Sequence, residues 1–295
     1  RGRSLSRELF PLSFSEFARR ACGASFSRAA GLSSSDSALL RRALGDFLLR
    51  GGYMAALDLP IQDSMMLVQE YAYSTVAMDV VERYNLRAPR VAASFLTRCI
   101  SSSARELSVN KVANEFKSRG VSTSRETLSN LLGYYEEAYL VFSLGDLSRS
   151  LADNPRSSSK VYAVDPGMFA SFSRAAAREE GQRLETAVFN KLRRTAPTAR
   201  SGSLARLTFE HGGSAHEVDF IMGDALLGDV YELVQVSVDL ANPKTRLREI
   251  SALESAMEKH GIDESTIVTM DTEETVHVDS GTVRVVPAWK WLLDN

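Results

Sequence analysis

The sequence predicts an α+β protein of more than one domain, and three observations support this. Apolar residues recur at helical spacing through the first third of the chain, two short helices around a glycine lie in the middle, and strand-like segments mixed with helices fill the last third. With 295 residues the chain is about twice the usual domain size, and its composition is ordinary for globular proteins. The predicted domains are residues 1–89, 90–172 and 173–295.

The first predicted domain is helical. Ser13 and Glu16 have the spacing of a capping box, so we expect a helix to begin there. The serine-rich stretch 33–37 is expected to break the pattern before the next helix. The further helical patterns are Ala38–Leu49, ending at Gly51, then about Ile61–Tyr84 and Ala88–Ser101.

Bulk properties exclude several classes of protein. Cys22 and Cys99 are far apart and not in metal-ligand spacing, which argues against a disulfide framework or a zinc site. No apolar stretch approaches the roughly 20 residues of a membrane-spanning helix, and no signal peptide is visible, so we expect a cytoplasmic protein with no membrane partner. The net charge of -2 gives no general attraction to nucleic acid. The chain opens with Arg1 rather than Met, and we expect it to be part of a longer protein.

The middle domain has the pattern of a winged helix-turn-helix. Two helical and two strand-like stretches make up this pattern: Lys111–Arg119, Arg125–Glu137, Tyr139–Phe142 and Lys160–Val164. Gly120 is expected to end the first helix, and Ser122 to Ser124 offer an N-cap for the second. The polar residues 149–159 would form the wing between the strands. Helix, tight turn, helix and hairpin together predict this fold.

A winged helix can bind double-stranded DNA or another protein, and both partners stay open here. The side chains best placed for DNA contacts are polar or basic residues of the two helices and the wing: Lys111, Ser122, Ser124, Arg125, Asn130, Arg149 and Lys160. Nearby glutamates such as Glu115 and Glu126 weaken the positive field of this surface.

The last domain has the order helix, three strands, helix, strand. The helix carries Glu185, and the later elements are predicted at Ala205–Glu210, Glu217–Met222, Asp229–Val238, Thr245–His260 and Thr266–Met270. This is the core order of the PD-(D/E)XK, or restriction-endonuclease-like, nucleases. We therefore predict an α/β domain of that fold.

The chemistry of that nuclease class needs a helix carboxylate, a strand Asp and a Glu-x-Lys on the next strand, which together hold Mg²⁺ and activate water. Glu185 and Asp219 occupy the first two places and are candidate metal ligands. Gln235 stands where the Lys belongs, and Leu233 stands where the Glu belongs. Glu232 is next to the required position, but its side chain would point to the opposite face unless a bulge shifts the register. We therefore expect the fold of a nuclease without the activity.

Seven segments of the chain carry a resemblance to a known family: Gly2-Arg3, Leu9–Phe17, Leu49–Tyr53, Asp79-Val80, Ser108–Ala113, Val161–Gly167 and Glu217–Phe220. Together they resemble one family of prokaryotic AAA-type ATPases, whose members carry a C-terminal region called domain of unknown function 4143. The resemblance implies that an ATPase core with bound ATP and Mg²⁺ precedes these segments in the parent protein, and that Arg1 and Arg3 lie near its nucleotide. This chain has no phosphate-binding loop, so ATP hydrolysis by these residues alone is not expected. Many relatives have Glu-Val-Lys where this chain has Leu233-Val234-Gln235.

Three hypotheses follow for the function. The first is a recognition region of an AAA-type ATPase that contacts DNA or a partner, acts with the ATPase core of the same parent chain, and holds no cofactor and no catalytic site of its own. The second is a Mg²⁺-dependent DNA nuclease using Glu185, Asp219 and Glu232, with Gln235 beside them. The third is a protein-docking module without nucleic-acid contact.

Overall fold

The computed structural model describes residues 8–23, 32–147, 159–173, 179–195, 203–211, 213–224 and 229–293. Over these residues the protein combines helices with a three-stranded and a six-stranded sheet, which confirms the predicted α+β class. Among the helices so described, none is long and apolar enough to cross a membrane. Arg1, Arg3 and Arg149 lie outside the described residues.

Helices make up the N-terminal part of the described chain. They are α1 (Phe14–Cys22), α2 (Ser34–Arg50), a 3-10 turn (Met54–Ala56), α3 (Ile61–Thr75), a π-helical segment (Val76–Glu82) and α4 (Pro89–Ile100). The single helix predicted from about Ile61 to Tyr84 is therefore an α-helix followed by a π-helical segment. Helical periodicity alone does not distinguish these two hydrogen-bonding patterns.

Serine capping boxes begin the first two helices. The Ser13 hydroxyl accepts from the Glu16 N–H, and the Glu16 carboxylate accepts from the Ser13 N–H, as the spacing predicted. Ser33 and Asp36 form the same reciprocal pair. The serine-rich stretch was expected to break the helical pattern. Instead it starts α2 at Ser34, because Ser33 satisfies a backbone N–H of the first turn.

Short helices and strands alternate in the middle of the chain. They are β1 (Arg105–Leu107), α5 (Val109–Ser118), α6 (Arg125–Glu137), β2 (Val141–Leu144), β3 (Ser159–Ala163) and α7 (Pro166–Phe172). β3 is the central strand and pairs antiparallel with both β1 and β2. Gly120 takes the left-handed backbone conformation between α5 and α6, with φ 77°. β2 begins two residues later than predicted, because Tyr139 is itself left-handed, with φ 55°.

The six-stranded sheet occupies the last part of the chain. Its elements are α8 (Glu180–Thr195), β4 (Leu204–His211), β5 (Ser214–Asp224), β6 (Asp229–Val236), α9 (Pro243–His260), β7 (Glu264–Thr269), β8 (Glu274–Val278), β9 (Gly281–Pro287) and α10 (Ala288–Trp291). The strand order is β4-β5-β6-β7-β9-β8. β4, β5 and β6 are antiparallel, and β7 runs parallel to β6 and to β9. The predicted element order is present, and β8, β9 and α10 extend it.

Apolar side chains pack on both faces of this sheet. Val234 faces a large core that continues from α1 to α10 and includes α8, whereas its neighbour Leu233 faces a smaller core beneath α9. α8 and α9 therefore cover opposite faces. Domain boundaries were predicted between residues 89 and 90 and between residues 172 and 173. The larger core contains side chains from both sides of each boundary, so the three predicted domains share buried apolar surface.

A junction of glycines around Asp165 joins α2 to α7. The Asp165 carboxylate accepts hydrogen bonds from the backbone N–H groups of Gly52 at 2.8 Å, Gly167 at 2.8 Å and Met168 at 3.1 Å. A Cβ atom at Gly51 would lie 1.7 Å from Asp165 Oδ1, and Gly51 has φ 72°. Larger residues are therefore excluded at Gly51 both by backbone conformation and by space. Two segments that carried the family resemblance, Leu49–Tyr53 and Val161–Gly167, meet at this junction.

Candidate functional site

Three carboxylates and a lysine meet where β3, α8 and β5 come together. Lys160 Nζ lies 3.2 Å from Glu185 Oε1, 2.9 Å from Glu217 Oε1 and 3.0 Å from Asp219 Oδ1. The Tyr162 hydroxyl donates to Glu185 Oε1 at 2.8 Å. We call Lys160, Tyr162, Glu185, Glu217 and Asp219 the carboxylate cluster.

A β-bulge in β5 positions Asp219. Ala205 pairs with Ile221 and Leu207 pairs with Val218, so Asp219 and Phe220 together oppose the single residue Arg206. The Phe220 ring packs in the larger core against Tyr162, with ring centroids 5.8 Å apart. Phe220 fills the core, and the adjacent Asp219 points into the cluster.

Gln235, which stands at the position of the expected Lys, lies next to Asp219 and makes two hydrogen bonds among the described residues. Its Oε1 accepts from the Asp219 backbone N–H at 3.0 Å, and its Nε2 donates to Glu249 Oε2 at 2.6 Å. Asp219 Oδ2 in turn accepts from the Val236 N–H at 3.0 Å. Gln235 thus links the middle of β5 to the end of β6 without supplying a charge.

Glu232 is not brought into the cluster. It pairs with Met222 on β5, and its charged neighbour is Lys191 on α8. Burial raises the pKa of Glu232, and Lys191 partly offsets that rise. No ion pair or hydrogen bond between Glu232 and the cluster is present among the described residues. β6 also has a register shift, with Tyr231 as the extra residue beside Glu232, but this shift does not bring Glu232 to Asp219.

Burial and mutual repulsion dominate the electrostatics of the cluster. Burial, followed by the nearby Asp219 charge, raises the pKa of Glu185, while Lys160 opposes this rise. Burial alone would lower the pKa of Lys160, but Asp219, Glu185 and Glu217 outweigh it and raise that pKa. Burial and the Glu185 charge likewise raise the pKa of Tyr162. Lys160 is therefore an ammonium and Tyr162 a neutral donor at physiological pH.

Four members of the cluster, Lys160, Glu185, Glu217 and Asp219, line an open cleft of about 700 Å³, whereas Tyr162 is buried behind them. Further polar side chains on the wall of the cleft are Glu210, His216, Gln235, Arg248 and Glu249. Arg248 pairs with Glu249. The carboxylates of the wall outnumber Lys160 and Arg248, so the cleft repels a phosphate backbone unless a cation neutralises it. No group of three His, Cys, Asp or Glu side chains is arranged to hold a metal ion within the described ranges.

The residues predicted to contact DNA divide into two sets. Five of them are exposed on α5, on α6 or in the turn between these helices: Lys111, Ser122, Ser124, Arg125 and Asn130. The Ser124 hydroxyl is the N-cap of α6 and accepts from the Thr127 N–H at 3.0 Å. Lys160 was also predicted to contact DNA, and the structure corrects this prediction. This lysine is only 9% exposed and bonded to three carboxylates, so it does not face a phosphate.

Sequence reasoning missed Glu217, Tyr162 and Glu249. Glu217 lies two residues before Asp219 on one strand, so alternation placed both on the same face and could have identified it. Tyr162 is two residues from Lys160 on β3 by the same rule. The contact of Tyr162 with Glu185 had no local signal, since it joins a strand to a helix farther along the chain.

Comparison with known proteins gives relatives but no function. Residues 41–179 match a family model described as domain of unknown function (DUF8612), which differs from the domain suggested by the sequence resemblance. The chain is 31% identical over 300 residues to the uncharacterized protein MJ1544 of Methanocaldococcus jannaschii. That match covers 99% of this chain and 64% of the relative, so the chain spans less than two thirds of that protein. No solved structure matches the chain.

Proposed function

We propose that this chain is the recognition region of a larger AAA-type ATPase, in which a winged helix contacts duplex DNA and a restriction-endonuclease-like domain serves as a non-catalytic scaffold. ATP and Mg²⁺ would act in the ATPase core of the parent chain. The resemblance of the Leu9–Phe17 and Leu49–Tyr53 segments to such ATPases supports this assignment. The greater length of MJ1544 is compatible with it.

The element order of the middle domain supports the winged helix. α4, β1, α5, α6 and the β2–β3 hairpin follow one another, and β3 lies between β1 and β2. In winged helices that bind DNA, the second helix of the pair enters the major groove and its first residues read base edges. α6 would be that helix in this chain.

The exposed start of α6 is the observation that carries the DNA hypothesis. Arg125 and Asn130 are exposed on α6, and Lys111 is exposed at the start of the adjacent α5. Arginine and asparagine are the side chains that most often read guanine and adenine edges, and lysine suits phosphate. Arg119 pairs with Glu115, so part of the surrounding positive charge is already neutralised.

The non-catalytic scaffold is supported by the composition of the cleft. The order α8, β4, β5, β6, α9, β7 and the strand directions are compatible with the nuclease fold. Leu233 is buried under α9, Gln235 carries no charge, and Lys160 fills the space between Glu185 and Asp219. The residues that would assemble a metal-activated water are thus replaced or neutralised.

Two other functions have a specific observation in their favour. A Mg²⁺-dependent nuclease is favoured by the convergence of Glu185 and Asp219 beside a lysine. A docking module is favoured by exposed apolar side chains of the N-terminal helices: Met54, Met66, Tyr71, Tyr73 and Met78. Such exposed apolar residues suit a protein partner.

DNA binding is tested by fluorescence anisotropy with a labelled duplex at about 50 to 200 mM salt. We expect Arg125→Ala to weaken binding about tenfold and Lys111→Ala to reduce the salt dependence by about one counterion. Arg284→Ala is the matched control, because Arg284 is exposed on β9 and pairs with Glu264. Absence of binding at the lowest salt, or equal losses in all three variants, would contradict the DNA hypothesis.

Nuclease activity is tested separately, with supercoiled plasmid and Mg²⁺ or Mn²⁺. We expect no cleavage by the wild-type chain. Cleavage that is abolished by Asp219→Ala would support the nuclease and overturn the non-catalytic scaffold.

A further inference from the structure

We propose that the Lys160 side chain is a tethered cation that occupies the carboxylate cluster and excludes divalent metal ions from it. This inference rests on the proposed non-catalytic scaffold and names what keeps its site inactive. It also links the β2–β3 hairpin to the six-stranded sheet through one side chain.

The position of the ammonium supports this role. Its three carboxylate partners lie at 2.9 to 3.2 Å, and the Lys160 side chain is only 11% exposed. Mg²⁺ and Mn²⁺ would need the same oxygens, at about 2.1 Å. A metal ion and the ammonium would then be close neighbours of like charge in a partly buried site, so binding of one disfavours the other.

The charge balance of the cluster also favours a metal once the lysine is removed. Glu185, Glu217 and Asp219 are three carboxylates that face one ammonium. Arg206 and Arg248 are further cations near the cluster, but Arg206 Nη1 is 3.9 Å from Glu217 Oε1 and its Nη2 is 2.7 Å from Glu106 Oε1, and Arg248 pairs with Glu249. Neither arginine therefore replaces Lys160 between Glu185 and Asp219.

The lysine belongs to a different sheet from the carboxylates that it neutralises. β3 pairs with β1 and β2, whereas Asp219 and Glu217 are on β5. Opening the cluster to a metal ion therefore requires the Lys160 side chain to leave it. The stacked rings of Tyr162 and Phe189, with centroids 4.1 Å apart, hold β3 against α8 and oppose that movement.

The test is titration with Mn²⁺, followed by electron paramagnetic resonance and calorimetry, of the wild-type chain and of Lys160→Met. Methionine keeps an unbranched side chain of similar length without the charge. We expect Lys160→Met to bind one Mn²⁺ at least about tenfold more tightly than the wild type, and Asp219→Asn in the same background to abolish that binding. Lys290→Met is the control, because Lys290 pairs with Glu273 away from the cluster.

Tight saturable binding by the wild type that Asp219→Asn abolishes would overturn the proposal, and this measurement needs no Lys160 variant to fold. Unchanged Mn²⁺ affinity in a folded Lys160→Met chain, verified by circular dichroism, would overturn it too. Metal binding by the wild type without plasmid cleavage would refute the tethered cation and leave the non-catalytic scaffold intact. Cleavage by the wild type would refute the scaffold itself.

Discussion

Asp165 and the carboxylate cluster are both buried acidic sites, yet they are stabilised by different groups. Asp165 accepts three backbone N–H groups from two segments of the chain. The cluster carboxylates face the side chains of Lys160 and Tyr162. Backbone N–H donors are held in place by the path of the chain, and another side chain cannot take their place. A side-chain cation can move away or be replaced by substitution. A buried acid therefore indicates a functional site only where its partners leave room for a ligand.

The surroundings of the two sites agree with this distinction. Asp165 is closed in by Gly51, where even a methyl group would overlap its carboxylate. The charged members of the cluster instead line an open cleft. The Asp165 junction therefore has a structural role, and we call it the joint, whereas the cluster is the candidate functional site. Three predictions distinguish these two roles.

The largest effect is expected at the joint. Gly51→Ala should destabilise the protein by more than about 4 kcal/mol, or prevent folding, because its Cβ atom would lie 1.7 Å from Asp165 Oδ1 at a φ of 72°. Urea unfolding followed by circular dichroism measures the change. Gly45→Ala is the matched control: it lies in α2 with no atom within 4 Å of the added Cβ, so stability should rise by up to about 1 kcal/mol. A Gly51→Ala chain as stable as wild type would show that the joint can relax.

Much of this local structure could be predicted from sequence. The Ser13–Glu16 capping box and the bounds of α6 are confirmed, because they depend on residues three or four apart. Ser33 was predicted to interrupt a helix and instead caps one, since serine suits both roles. β1 was missed because three residues carry too little alternation.

The candidate site could be predicted only in part. Strand alternation placed Glu232 and Leu233 on opposite faces of β6, and Leu233 is buried in the smaller core while Glu232 lies outside the cluster. It could not place Lys160 in the cluster, because that contact depends on how the β2–β3 hairpin packs on α8. A basic residue in a predicted wing suggested a phosphate contact, whereas the packed structure provides three carboxylates.

A smaller effect of the joint should appear in the pH dependence of the protein's stability. Burial raises the pKa of Asp165 from 3.8 to about 6, against the lowering effect of its three N–H donors. The folded state then binds more protons than the unfolded state between these values, so stability falls as pH rises from about 4 to about 6 and is constant above. The difference in free energy of unfolding between wild type and Asp165→Asn should therefore shift by about 2 to 3 kcal/mol over that range.

The difference in free energy of unfolding between wild type and Asp165→Asn reports on Asp165 alone. Glu185 titrates in both proteins, so its contribution cancels. Urea unfolding at several pH values measures this difference. A difference that is independent of pH would mean that the backbone donors keep Asp165 ionised at a normal pKa.

The smallest effect is expected in the cluster itself. Tyr162→Phe removes the hydroxyl that donates to Glu185 Oε1 and keeps the ring that stacks on Phe189. A hydrogen bond to a carboxylate contributes about 1.5 to 3 kcal/mol, and Lys160 still neutralises Glu185 in the variant, so a loss of about 1.5 kcal/mol is expected. Tyr231→Phe is the control, because Tyr231 is 64% exposed on β6 and should change stability by less than about 0.5 kcal/mol. Because the cluster depends on exchangeable side chains, Tyr162→Phe should fold normally. A loss as large as that of Gly51→Ala would instead make the cluster a second structural joint and remove the contrast between the two sites.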